Sequence, residues 1–97
     1  MNIEEFDPLA HNYLIWRDSY GNEVQIFDLE TDHIKACIGM IKARMPKNPE
    51  RYRKTAKRPT SAGDIGSPTW CAYYGDGYLK ELRKELKERL DRDKELL

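Results

Sequence analysis

The sequence predicts a small α+β domain: a β-hairpin packed on an amphipathic helix, then a long basic loop and a C-terminal helix. Three observations carry this. Residues 12–29 are rich in β-formers and alternate in polarity around a turn. Residues 32–45 place apolar side chains at three- and four-residue steps. Trp70, Tyr74, Tyr78, Leu82, Leu86 and Leu90 then recur every four residues.

Each element has a local cause. Asp7-Pro8 pairs an N-cap acceptor with proline at the first helical position, marking a short helical turn. Tyr13, Leu14, Ile15 and Trp16 suit a strand, and Ser19-Tyr20-Gly21-Asn22 supplies turn chemistry. In the second strand Val24 and Ile26 lie on one face, and Gln25, Phe27 and Leu29 on the other. Thr31 reads as an N-cap, with Asp32 against the positive end of the helix dipole. Ile34, Cys37, Ile38, Ile41 and Met45 form the buried stripe, and Pro46 ends the helix. A two-stranded sheet needs such a cover to be stable. Residues 46–66 hold three prolines among bases and small residues and read as a long loop, with at most a turn of helix at 51–57. Ser67-Pro68 opens a second capped helix over 68–95. Gly75-Asp76-Gly77 interrupts its pattern at a cost of about 2 kcal/mol relative to alanine, so a break at 75–77 competes with continuity. Beyond it, Glu85–Arg89 and similar pairs support the exposed face.

The chain has 97 residues and reads as a single domain, 1–97. At that size only about 60–65% of the unfolded surface is buried, which favours a homo-oligomer. No apolar run approaches the roughly 18 residues of a membrane span. Two cysteines, Cys37 and Cys71, and an N-terminus without a signal-peptide pattern point to free thiols in a reducing cytoplasm. The zero net charge conceals segregation: residues 1–32 carry eight acids against Arg17 alone, and residues 42–58 carry eight bases against Glu50 alone. Such a dipolar chain can pair with itself, with a second copy, or with an anionic partner.

The basic segment is the main candidate site. Arg51, Arg53, Lys54 and Arg58 offer phosphate-binding cations, and Tyr52, Trp70 or Tyr74 an aromatic ring for a base. The competing reading places Trp70, Tyr73, Tyr74 and Tyr78 in the core, since the chain has few large apolar residues to spare. Gly63-Asp64-Ile65-Gly66-Ser67 has the composition of an anion nest but lacks the lysine of a P-loop; a flexible hinge is the more ordinary use. His11, His33, Cys37 and Cys71 lack zinc-site spacing, and no catalytic constellation is visible, so neither metal, cofactor nor enzymatic activity is expected.

Trp16, Gly21, Val24-x-Ile26-x-Asp28-Leu29 and Asp32-His33-Ile34 resemble a pattern in small bacteriophage-encoded accessory proteins: an aromatic-led hairpin followed by a His-Leu helix start. Tyr78-Leu79-Lys80-Glu81-Leu82-Arg83 is similar to their closing helix. The chain departs from the pattern at Leu29, where Met is usual, and at Ala36, where Asn commonly follows. Some phage proteins of this build are anti-defence sponges of the Thoeris type, which sequester cyclic ADP-ribose-type nucleotides; others are anti-CRISPR inhibitors. The resemblance implies a counter-defence role in the host cell: sequestration of a nucleotide signal, with inhibition of a host defence protein or accessory binding of nucleic acid as alternatives.

Overall fold

In the computed structural model, residues 11–17, 20–60 and 65–95 are described, with side chains to residue 93. Strands β1 (Ile15–Arg17) and β2 (Glu23–Gln25) pair antiparallel, Trp16 opposite Val24. Arg17 and Glu23 close the hairpin with a 2.8 Å ion pair. The expected second strand stops at Gln25, because a 3-10 turn follows at Ile26–Asp28. The Leu29 amide bonds to the Ile26 carbonyl, and both side chains are buried while Phe27 is left at the surface. A two-stranded ribbon has no neighbour to extend it, so the tight turn serves the core better than further pairing.

Helix α1 (Thr31–Arg44) buries Ile34, Cys37 and Ile41 of the predicted stripe, while Ile38 and the C-cap Met45 are partly buried against the core. Thr31 is not its N-cap: Glu30 holds that position without a side-chain bond, and the Thr31 hydroxyl instead accepts from Arg89 Nη1 at 3.1 Å. Helix α2 (Pro49–Thr55) occupies part of the segment read as a loop. The C-terminal helix comprises α3 (Pro68–Trp70), a π-helical stretch Cys71–Gly75, and α4 (Asp76–Glu95). Ser67 caps its start, its hydroxyl accepting from the Trp70 amide at 3.1 Å. Helical backbone continues through Trp70 and Asp76, so there is no break at 75–77. The Asp7-Pro8 start and the Ser19 turn position lie outside the described residues.

The two suspected helix breakers are packing sites. A Cβ on Gly75 would lie 2.5 Å from Met45 Cε and 3.1 Å from Ile41 Cγ2, so its hydrogen allows α1 to approach. A Cβ on Gly77 would collide with the Tyr13 ring. Around this close approach the aromatic core assembles. Trp70 stacks on Tyr78 with centroids 5.5 Å apart, and Trp16 meets both rings edge-on. Towards the far end Arg89 ties α4 to the other elements, donating to Glu85 at 2.8 Å, to the Phe27 carbonyl at 3.0 Å and to Thr31.

Gly77→Ala is expected to lower the thermal midpoint even though alanine improves helix propensity by about 1 kcal/mol. Gly39→Ala, in α1 with nothing within 4 Å of the new methyl, is expected to raise it. Circular-dichroism melts check the contrast; stabilisation in both variants would show that Gly77 is not a packing site.

Candidate anion-binding surface

Helix α2 begins as the C-terminal helix does, with an acceptor followed by proline: Asn48 Oδ1 accepts from the Arg51 amide at 3.1 Å, and Pro49 fills the first turn. Seven residues with none of them buried form too short a helix to persist alone. Side chains of the π stretch and one arginine hold it. Tyr73 Oη lies within hydrogen-bond distance of the Arg53 and Ala56 carbonyls, at 2.8 and 3.0 Å, where the helix end leaves acceptors without intrahelical donors. Tyr74 Oη donates to the Pro59 carbonyl at 2.7 Å. Arg53 Nη1 returns a bond to the Ala72 carbonyl at 2.6 Å.

These tethers divide the predicted site residues. Arg53 points inward and fastens α2, so it is a structural cation. Trp70 and Tyr74 are closed to solvent, at 1% and 5% exposure, and no base can stack on them. The physical reason is the π turn, which leaves five consecutive residues, Cys71 to Gly75, buried among the elements packed around it. Burial accordingly raises the Tyr74 pKa, an effect the Arg58 charge opposes.

Arg51, Tyr52, Lys54, Lys57 and Arg58 remain at the surface. Lys47, Asn48, Arg51, Tyr52 and Thr55 line an open depression of about 550 Å³, and no carboxylate lines it among the described residues. Ion pairs among the described residues join Arg17 to Glu23, and Glu85 to Arg89 and Arg92; none neutralises Arg51, Lys54 or Lys57. The acidic residues before position 11 lie outside the described part, as do Gly63 and Asp64 of the candidate nest. The described remainder of that segment serves helix entry: the Gly66 carbonyl accepts from Arg44 at 3.3 Å and Ser67 is the cap.

The other reactive side chains belong to the core. Burial pushes the Cys37 thiol up to about 11 and raises that of Cys71, so neither supplies a ready thiolate at neutral pH. Tyr78 Oη donates to the Ile15 carbonyl at 2.9 Å, so it accepts from His11 Nε2 at 3.0 Å, which assigns the proton to Nε2. Burial first, and the Arg17 charge second, hold the His11 pKa below its ordinary value. His33 is exposed, and no group of three or more His, Cys, Asp or Glu among the described residues is placed to hold a metal ion.

Sequence reasoning missed a second cationic surface. Lys80, Arg83, Lys84 and Lys87, with Leu79 and Asp76, border a depression of about 560 Å³ on α4. The signal is their spacing, which puts all four cations on one helical face; the even charge total of the segment masks it. No helix among the described residues is long and apolar enough to cross a membrane. Comparison with family models, curated proteins and solved structures finds no match to this chain.

Arg53→Ala is expected to cost about 1–3 kcal/mol, the usual loss of a charge-assisted bond to a buried acceptor. Arg51→Ala is expected to stay within about 0.5 kcal/mol of the parent, as exposed substitutions do. Chemical denaturation of both variants measures the difference; equal stabilities would show that the Arg53 tether contributes nothing.

Proposed function

We propose that the protein is a non-enzymatic binding protein that captures a phosphate-bearing ligand on the outer surface of α2. One observation carries the reading: Lys47, Arg51 and Tyr52 converge on a depression that no described carboxylate lines. The Arg51 guanidinium matches paired phosphate oxygens, Lys47 adds a point charge, and the Tyr52 ring offers a stacking face for a nucleobase. Its volume falls in the range of about 300–1,000 Å³ typical of small-molecule sites, which favours a nucleotide. Arg51 and Tyr52 line the depression and Lys54 and Arg58 add exposed charge outside it, while Arg53, Trp70 and Tyr74 support it from within. Sequestration of a nucleotide immune signal during phage counter-defence is the biological setting we favour, and it rests on the resemblance of the hairpin and closing helix alone.

A second reading, attachment to a nucleic-acid backbone, draws on the additional cations Lys80, Arg83, Lys84 and Lys87. Titration with a cyclic ADP-ribose-type nucleotide, followed by thermal shift, separates the two. Capture predicts stabilisation of about 2.7 kcal/mol at 100 times Kd, lost in Arg51→Ala/Lys54→Ala without change in the ligand-free melting temperature. Retention of labelled DNA that falls steeply with salt, without a nucleotide shift, would replace capture by the second reading. Nucleotide binding undiminished in the double variant would remove the α2 surface from either.

A further inference from the structure

The face of α4 turned towards the hairpin carries a groove of opposite character. Two adjoining depressions, of about 480 and 120 Å³, share Phe27, Glu85 and Glu88. Leu14 and Phe27 stand together at their apolar side, 56% and 60% exposed. Glu81, Glu88 and Asp91 rim them together with Lys84 and Arg92, and Glu85 is already paired with Arg89 and Arg92, so carboxylates outnumber the cations and the rim is acidic on balance. An apolar floor beneath an acidic rim suits a cationic segment bearing an aromatic side chain.

This chain contains such a segment. Helix α2 presents Arg51, Tyr52 and Lys54 outward, and its seven residues span about 10 Å, shorter than the roughly 16 Å of α4 between Glu81 and Arg92. It cannot reach the groove of its own molecule. Tyr73, Tyr74 and Arg53 fix it beside Cys71–Gly75, and Glu88 lies about 22 Å further along the same helix. Basic helix and acidic groove are therefore held apart on one rigid rod, complementary yet unable to meet within a chain.

We propose that the groove formed by Leu14, Phe27, Glu81, Glu88 and Asp91 receives the α2 surface of a second copy, giving head-to-tail self-association. Because the two surfaces differ, the contact is heterologous and propagates into a ring or a filament. The inference goes beyond ligand capture and does not depend on it, but both use Arg51 and Lys54, so ligand and neighbouring copy compete for α2.

Sedimentation velocity of the full chain tests this. Association should be evident at low salt and weaken as salt is raised. Two exposed-residue variants, Glu88→Lys/Asp91→Lys in the groove and Arg51→Glu/Lys54→Glu in α2, should each sediment as a monomer with unchanged far-UV circular dichroism. An equimolar mixture of the two should associate again, because each restores a complementary pair with the other. The groove variant, its α2 no longer occupied by a neighbour, should bind nucleotide at least as tightly as the parent, which keeps this test distinct from that of ligand capture. A parent that stays monomeric at low salt, variants that associate like the parent, or a mixture that remains monomeric would each overturn the proposal. Should a reversal alter the circular dichroism, Glu88→Gln/Asp91→Asn is the substitute, and undiminished association in it would equally overturn the proposal.

Discussion

Three tyrosine hydroxyls on two successive turns of one helix organise this molecule. Tyr73 reaches the Arg53 and Ala56 carbonyls, Tyr74 the Pro59 carbonyl and Tyr78 the Ile15 carbonyl. Each bond joins the C-terminal helix to a segment with little secondary structure of its own, where an acceptor would otherwise lack a donor. The π turn makes this possible. Widening the helix at Cys71–Gly75 reduces the angle between neighbouring residues, so the adjacent Tyr73 and Tyr74 both reach the segment from Arg53 to Pro59. A tyrosine at such a position adds its ring to the core and its hydroxyl to the neighbouring chain.

The consequence for function is division of labour within the basic segment. Once the carbonyls of Arg53, Ala56 and Pro59 are bound from within, the exposed faces of α2 carry Arg51, Tyr52 and Lys54 outward on a tethered scaffold. A free loop of the same composition would have to be ordered when it met a ligand, and that ordering weakens binding. The C-terminal helix carries acidic and basic faces along α4, so the charge segregation evident along the sequence recurs around a single rod. A neutral protein thereby holds several strongly charged surfaces.

Much of the scaffold was legible because its signals are local. Ile34, Cys37 and Ile41 form a stripe by spacing alone, and the β-formers around Trp16 and Val24 pair across a turn with Gly21 at φ +84°. Ser67 was recognisable as a cap for the same local reason. Asn48-Pro49 carries the same signature, but the prolines and cations around it give the segment the composition of a loop. Gly75 and Gly77 misled for a different reason. Their propensity cost is local, whereas the benefit comes from Met45, Ile41 and Tyr13, distant in sequence. Five successive buried residues, Cys71 to Gly75, are the trace a π turn leaves, yet an unbroken apolar run has no helical period to reveal it. Trp70 and Tyr74 were candidates for a ligand site because composition cannot show which side of a helix the rest of the chain covers.

The tethering of α2 by the π turn is open to direct measurement through amide hydrogen exchange in the double variant Tyr73→Phe/Tyr74→Phe. The rings stay in the core and only the two hydroxyls are lost. Exchange should accelerate selectively over residues 49–59, with α1 and the stretch from Tyr78 to Leu86 protected as in the parent. Unchanged protection at 49–59, or uniform loss throughout the molecule, would contradict the view that these hydroxyls hold the basic helix in place.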